Sequence, residues 1–272
     1  MPNSPIELTL PDGSRLEVSK GTPLLEVVRQ IGPGLARAAV AGQIDGCWVD
    51  LRTPVESEGA LRILTARDPE AGEVIRHSAE HVMADAVKRL WPKTQIDVGR
   101  SGRDGKFQYD LDVPVRLGPD DLPRIEEEMA RIISQDLPFE REVVTRDEAR
   151  RRFEAVGDAL KVSRIEDLAE DEEVTLFRHG DFVDVCRGPH VQSCGQIGAF
   201  KLTELAGSYW RGDESNQMLQ RIYGLAFATP AAMEKHLELL EEAKRRDHRR
   251  LGADLELFYF HDWSPGSPFY LT

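Results

Sequence analysis

The chain is organised around Arg76-His77-Ser78-Ala79-Glu80-His81, a stretch that continues through Leu90-Trp91-Pro92. Two histidines four residues apart lie one above the other on a helix face. His77 and His81 fall opposite the apolar side of that helix, so we expect them to face solvent or a cleft rather than the core. At about 100° per residue, the apolar arc consists of Ile75, Ala79, Val82, Met83, Ala86, Val87 and Leu90.

A second motif, distant in sequence, supplies residues that complement the histidine pair. It reads Asp184-Val185-Cys186-Arg187-Gly188-Pro189-His190. Residues 182–186 alternate as a strand does, and the period of two places Asp184 and Cys186 on one face. The Gly188-Pro189 pair then turns the backbone, which can bring His190 back near Cys186.

Three kinds of chemistry suit the combined set of His77, His81, Cys186 and His190. The four side chains could complete a tetrahedral zinc shell. They could instead position and polarise a water molecule for hydrolysis without a metal. Cys186 could also act as a covalent nucleophile activated by a histidine. Spacing alone does not choose among these readings, or between any of them and two solvated histidines beside a buried cysteine.

Composition limits the class of protein. The 272 residues suffice for two or three domains, and the formal charge is −13. The surface as a whole therefore repels nucleic acid, and any RNA contact must come from local basic patches. Three cysteines suggest no disulfide framework and suit a reducing cytosol. The sequence contains no signal pattern and no apolar run near the ~20 residues of a membrane span, so we expect a soluble intracellular protein.

The patterns predict an α+β chain in several parts. Residues 1–66 resemble a small β-grasp module, with a helix capped by Thr22 that ends near Ile31. Its predicted strands are residues 6–10, 15–18, 38–43, 47–51 and 61–65. Residues 67–229 interleave helices and strands as an α/β or α+β domain. Its predicted elements are the histidine helix, a loop around residues 99–105, strands at 107–113, 139–145 and 182–186, and helices at 122–136 and 146–156.

The last part of the chain is predicted to begin with a helix over residues 230–250, which ends in a basic cluster and would connect domains. Residues 251–272 read as the start of a further domain. Within them, Leu255 to Phe258 begins an element, and Ser264 to Tyr270 reads as a turn into a strand.

Taken together, these motifs closely resemble the N-terminal part of bacterial threonyl-tRNA synthetases, over nearly the whole chain. Besides the two motifs above, the residues that carry the resemblance are Phe200-Lys201-Leu202-Thr203, Gly207-Ser208-Tyr209-Trp210-Arg211-Gly212-Asp213, Met218-Leu219-Gln220-Arg221-Ile222-Tyr223-Gly224 and Arg246-Asp247-His248-Arg249-Arg250-Leu251-Gly252.

The resemblance implies a ubiquitin-like β-grasp domain of the TGS type, then an editing domain shared with alanyl-tRNA synthetases, then a linker helix. In that family the editing domain hydrolyses serine wrongly esterified to the tRNA for threonine. The matching catalytic positions are His77, His81, Cys186 and His190, with Lys161 as a catalytic cation that favours the developing oxyanion and Asp184 and Tyr109 as substrate-binding residues. From spacing alone, Lys161 and Tyr109 would read as a surface lysine and a strand aromatic. The alanyl type holds zinc on the four matching ligands, whereas the threonyl type is understood to edit without metal.

The resemblance also implies the context of the site. The expected partner is the threonine tRNA mischarged with serine, in the cytoplasm and with no membrane. ATP, magnesium and zinc are expected only with the aminoacylation domain, which we expect to be missing beyond Thr272 together with the anticodon-binding domain. The expectation is then a monomeric fragment of a homodimeric parent. The alternatives are a free-standing deacylase that edits in trans and a non-catalytic tRNA-binding module.

Overall fold

The computed structural model describes residues 5–102, 104–169, 172–246, 251–252, 255, 257–261 and 263–270. The chain forms two compact units, Met1–Thr229 and Pro230–Thr272. None of the helices within those described ranges is long and apolar enough to cross a membrane.

The larger unit begins with the β-grasp module. Its sheet has the strand order β2-β1-β7-β4-β5, in which β1 and β7 run parallel and the other pairs run antiparallel. The strands are β1 (Pro5–Thr9), β2 (Arg15–Ser19), β3 (Thr22–Pro23), β4 (Ala39–Ile44), β5 (Cys47–Val49), β6 (Pro54–Val55) and β7 (Gly59–Thr65), and the helices are α1 (Leu24–Ile31) and α2 (Pro33–Ala38). This confirms the predicted β-grasp fold with its hairpin, helix and later strands.

Helix α1 covers the sheet with Leu24, Val27 and Val28, which are fully buried. These residues recur at intervals of three and four, as the apolar stripe of a surface helix does. The prediction that Thr22 caps this helix is wrong. The N-cap is Pro23 without a side-chain hydrogen bond, because the Thr22 hydroxyl donates to the carbonyl of Ser19 at 2.7 Å instead.

The rest of the larger unit is built around the histidine helix, α3 (Ala71–Leu90). A four-stranded antiparallel sheet, in the order β13-β14-β9-β8, and a three-stranded sheet, β10-β11-β12, accompany it. The other elements are β8 (Gln95–Ser101), β9 (Lys106–Asp112), α4 (Asp121–Ser134), β10 (Glu140–Val144), α5 (Arg146–Ala155), α6 (Ala159–Glu166), β11 (Val174–His179), β12 (Phe182–Val185), β13 (Ala199–Tyr209) and β14 (Met218–Phe227).

Helix α3 is buried on nearly every side. The predicted apolar arc lies in the main core, with only Leu90 partly exposed. The expectation that the opposite side faces solvent or a cleft is wrong for His81, which is 2% exposed, and only partly right for His77, which is half-buried. Aromatic rings of Phe139, Phe182 and His190 lie against His81. These rings come from segments remote in sequence, so helical periodicity could not reveal them.

The predicted strands and helices of residues 107–186 are present within one to two residues at most ends. The predicted loop around residues 99–105 is partly wrong, because β8 continues through Gly99 to Ser101 and pairs with β9. Only glycine fits at position 99 of this strand, because the Glu80 side chain lies against it. A Cβ there would come within 2.1 Å of a Glu80 carboxyl oxygen.

The smaller unit contains α7 (Pro230–Arg245) and a hairpin of β15 (Phe258–His261) and β16 (Ser264–Tyr270). The predicted helix is present to Arg245, Arg246 is a turn residue, and residues 247–250 of the prediction lie outside the described residues. Glu256, within the element predicted to begin at Leu255 to Phe258, also lies outside the described residues. At the basic end of α7, Lys244 pairs with Glu241 and Arg245 with Glu242, both at 2.9 Å. Such exposed pairs indicate a solvated helix face.

Candidate active site

Helix α3 and the segment after β12 bring His77, His81, Cys186 and His190 together. One nitrogen or sulfur atom from each lies within 4.8 Å of the others. Within this segment, Gly188 has a φ of 70°, a left-handed conformation that favours glycine. A Cβ at this position would also come within 2.7 Å of the Phe177 ring. The local sequence is therefore what lets the chain turn back from Cys186 to His190.

Hydrogen bonds fix the tautomer of His77. Its Nδ1 atom lies 3.1 Å from the carbonyl oxygen of Pro189. A carbonyl only accepts, so Nδ1 carries the proton and Nε2 presents a lone pair. That Nε2 atom lies 3.0 Å from the Cys186 sulfur, which also accepts the amide hydrogen of Gly188 at 3.1 Å.

Hydrogen bonds also fix the tautomer of His190. Its Nδ1 atom lies 3.1 Å from the hydroxyl oxygen of Ser78, and that hydroxyl donates to the carbonyl of Val74 at 2.8 Å. The Ser78 oxygen therefore accepts from Nδ1–H of His190, which leaves a lone pair on Nε2. This buried Nε2 has no hydrogen-bond partner among the residues that the structure describes. The ring stacks on Phe139, with centroids 4.7 Å apart and planes 5° apart.

Burial keeps the cluster uncharged. It lowers the pKa of His77, and it lowers the pKa values of His81 and His190 further, with neighbouring cationic groups adding to the effect. Burial raises the pKa of the Cys186 thiol. The cluster is thus three neutral imidazoles and a protonated thiol. The Cys186 S–H donates to Nε2 of His77, and a thiol so far from ionisation is a poor nucleophile.

The three supporting residues form a second buried group beside the cluster. The Lys161 ammonium on α6 lies 2.6 Å from Asp184 Oδ1, 2.7 Å from the carbonyl oxygen of Asp97 and 3.3 Å from the Tyr109 hydroxyl. Tyr109 on β9 donates to Asp184 Oδ2, and burial followed by the Asp184 charge raises the pKa of its phenol. His81 Nε2 lies 3.8 Å from Asp184 Oδ2, so Asp184 joins this group to the histidines.

The structure thus brings all seven predicted site residues together. The structure also adds to the site two residues of the first motif that were not predicted as site residues. Ser78 sets the tautomer of His190, and Glu80 is a buried carboxyl whose pKa burial raises well above the usual value. One Glu80 carboxyl oxygen has no hydrogen-bond partner in the described part of the chain. Both residues stand in the quoted stretch, but only their burial distinguishes them from ordinary helix-surface residues.

Comparison with known proteins supports the two-part organisation. Residues 6–65 match the TGS domain family, and residues 174–223 match the family described as the threonyl and alanyl tRNA synthetase second additional domain. The chain thus contains a TGS domain followed by a domain of the second type.

Whole-chain relatives are threonine--tRNA ligases. The protein of Halalkalibacterium halodurans is 51% identical over 93% of this chain, that of Anaeromyxobacter dehalogenans 48% over 98%, and that of Desulforamulus reducens 47% over 97%. The matches cover 39%, 41% and 42% of those proteins. The chain therefore spans about two fifths of the length of the curated relatives it matches and is similar to their N-terminal part.

Proposed function

We propose, from the similarity of this chain to the N-terminal part of threonine--tRNA ligases, that it hydrolyses the ester bond of serine mistakenly attached to the tRNA for threonine. In the whole protein, the proposed function is ATP-dependent attachment of threonine to that tRNA, with this part correcting errors. The observation that carries the proposal is the buried Nε2 of His190, which has no hydrogen-bond partner in the described ranges and lies close to His77 and His81.

The proposed mechanism uses the neutral imidazoles to hold water. A water molecule in the cluster would donate a hydrogen bond to Nε2 of His190, the one ring nitrogen of that residue left free by Ser78. His190, neutral because burial lowers its pKa, would take the proton at Nε2 as the water oxygen bonds to the ester carbonyl carbon, while His77 lies beside it and helps to orient the water. The proton would then pass to the ribose oxygen as the ester C–O bond breaks, which releases serine and intact tRNA.

The buried carboxylate would hold the substrate. Asp184 Oδ2 and His81 Nε2 are 3.8 Å apart, a spacing at which one donor group can contact Asp184 while lying against His81. The serine ammonium or hydroxyl group fits this position. All three protons of the Lys161 ammonium have acceptors within 3.3 Å. We therefore assign Lys161 and Tyr109 to positioning Asp184, rather than assigning Lys161 to the developing oxyanion.

The need for such a site follows from the size of the two amino acids. Serine lacks one methyl group of threonine, and a missing methylene changes binding by only about 1–3 kcal/mol. A synthetic site alone therefore cannot reject serine strongly. A second pocket that accepts serine but clashes with the extra methyl group of threonine supplies the remaining selectivity.

The names of the relatives indicate tRNA as the partner, and the mischarged form of the threonine tRNA is our proposal. The proposed location is the cytoplasm, and the proposed parent is a homodimer. We propose no metal for editing and reserve ATP, magnesium and zinc for the aminoacylation activity. A free-standing deacylase acting in trans would use the same site, whereas a non-catalytic tRNA-binding module would not need it.

A zinc-dependent hydrolase is the second candidate, because the donor set fits that ion. Three imidazole nitrogens and one sulfur are preferred zinc ligands, and a tetrahedral shell places its ligands about 3.4–3.8 Å apart. The four side chains, within 4.8 Å of one another, would need to contract modestly. Nδ1 of His77 and Nδ1 of His190 already donate to oxygen acceptors, as metal-ligating histidines commonly do. Four protein ligands close a tetrahedral shell, so zinc would acidify a water ligand only where one side chain left the shell or the ion took a fifth ligand.

Release of radiolabelled serine from seryl-tRNA tests these functions together. The chain should release serine, and His190→Ala should slow release about 10²–10⁴-fold because it removes the proton acceptor. Cys47→Ala changes an exposed cysteine and should leave the rate unchanged. A rate indifferent to chelator, in protein without bound zinc by elemental analysis, supports the water mechanism. Chelator-sensitive release with one zinc per chain would replace it with the second candidate, and a normal rate for His190→Ala would refute both assignments.

A further inference from the structure

The β-grasp domain contacts the segment that carries His190. Arg52 lies between β5 and β6 of that domain, and its guanidinium donates to backbone carbonyls of the second domain. The acceptors are the carbonyl oxygens of Phe139 at 2.5 Å, Val191 at 2.7 Å, Gln192 at 3.0 Å and His190 at 3.4 Å. One side chain thus fixes the backbone on both sides of the His190 ring stack, because Phe139 is the residue on which His190 stacks.

Asp50 completes this contact. Its Oδ2 atom accepts the backbone amide hydrogen of His190 at 2.9 Å. Both Asp50 oxygens also lie 3.0 Å from the Arg52 guanidinium. The Asp50 side chain is 2% exposed and that of Arg52 is 18% exposed. A buried, fully hydrogen-bonded pair of this kind has one defined geometry, and removing one member leaves a charge or carbonyls without partners.

A further contact between the two domains holds Gln192, two residues after His190. The side-chain amide of Gln192 donates to the carbonyls of Ala36 at 2.8 Å and Ala39 at 2.7 Å, both in the β-grasp domain. The backbone from His190 to Gln192 is therefore held by the first domain at every residue. Among the residues that the structure describes, the His190 ring itself makes one hydrogen bond, to Ser78.

We propose that Asp50 and Arg52 are positioning residues of the candidate active site, through which the β-grasp domain sets the place and orientation of His190. The inference rests on the proposed editing function for its effect on rate. It assigns to the first domain a task within the hydrolytic site. Because Asp50 and Arg52 do not contact the substrate position, their loss should misplace a catalytic group rather than weaken substrate binding.

The test uses the whole chain and substitutions at these two positions. Arg52→Ala and Asp50→Ala should lower kcat for serine release about 10–100-fold with KM nearly unchanged, the range found when supporting residues of a site are lost or a group moves by about 1 Å. Arg52→Lys and Asp50→Asn keep the charge or the acceptor oxygen and should recover part of the rate. Arg15→Ala removes an exposed arginine of the same domain, paired with Glu7 at 2.9 Å, and should match the unchanged chain.

Nitrogen-15 spectra of the histidine rings supply a readout that does not depend on activity. The His190 signals, assigned by their loss in His190→Gln, should show protonated Nδ1 in the unchanged chain and should shift or broaden in Arg52→Lys and Asp50→Asn. If the alanine variants do not fold, these two conservative variants decide the question. Unchanged His190 signals, or an unchanged kcat in a folded Arg52 variant, would overturn the proposal. If the unchanged chain releases no serine, the proposed function fails, and the spectra alone still decide the positioning role.

Discussion

Removal of the Lys161 ammonium should cost more stability than any surface ion pair of this protein. Lys161 and Asp184 lie 2.6 Å apart with side chains 4% and 2% exposed. Lys161→Met keeps the length and apolar stem of the side chain but leaves the Asp184 carboxylate buried without its cation. Breaking a buried pair in this way costs about 3–5 kcal/mol, against about 0–1 kcal/mol for an exposed pair.

Urea unfolding followed by circular dichroism measures this difference. With a slope near 3 kcal/mol per molar urea, a loss of about 3–5 kcal/mol lowers the midpoint by about 1–2 M. The matched control is Arg152→Met, which breaks two exposed ion pairs with Glu142 and Glu148 and should lower the midpoint far less. Lys161→Met combined with Asp184→Asn removes both charges and should recover a large part of the lost stability. The double variant should therefore lose less stability than the two single variants lose together.

Two results would refute this reasoning. A midpoint for Lys161→Met within the error of the control would mean that water or another group compensates Asp184. A double variant no more stable than Lys161→Met alone would mean that the lost stability came from packing around the lysine stem rather than from the unpaired charge.

Three further predictions concern the residues around the histidines. Burial lowers the imidazole pKa values below 6.5, so the rate of serine release should stay flat from pH 7.5 to 6. A base with the ordinary histidine pKa would lose about three quarters of its neutral form at pH 6. A matching fall in the rate would contradict the neutral cluster. Burial raises the pKa of Glu80 above 4.5, so its contribution to stability is present below pH 4.5 and is lost as pH rises towards its folded-state pKa. Glu80→Gln should therefore gain stability relative to the unchanged chain between pH 5 and 7, by at most about 1.4 kcal/mol per pH unit, and parallel stability curves would contradict this. Gly99→Ala should lower the free energy of unfolding by about 1–3 kcal/mol, because its Cβ would lie 2.1 Å from Glu80 Oε2 and 3.1 Å from the Tyr109 ring. The control in thermal unfolding is Gly118→Ala, whose Cβ would meet nothing within 4 Å. Equal melting temperatures for the two variants would show that β8 moves aside at no cost.

The sequence predicts the parts of this structure that depend on local periodicity. The apolar arc of α3 and the four-residue spacing of His77 and His81 follow from the helical repeat. The turn at Gly188-Pro189 likewise places His190 beside Cys186. In each case the geometry is set locally, by the helical repeat or by turn residues, so the sequence alone is enough to predict it.

The remaining features depend on contacts between distant segments. His81 is buried by rings from other elements, which the pattern of α3 cannot indicate. Lys161 reads as a surface residue until α6 places it against Asp184. Arg52 and Asp50 lie about 140 residues from the backbone they hold, and a polar turn in a small domain carries no mark of such a contact. The resemblance of the motifs to a family supplied Lys161 but neither Asp50 nor Arg52.

The ratio of hydrolysis rates for seryl-tRNA and threonyl-tRNA, both on the threonine tRNA and under single-turnover conditions, shows whether this site distinguishes the two amino acids by size. We expect rapid loss of serine and slow loss of threonine, because the cluster of His77, His81, Cys186 and His190 supplies a water that only the smaller ester can approach. Equal rates for the two esters, or no hydrolysis of either above the spontaneous rate, would contradict this expectation.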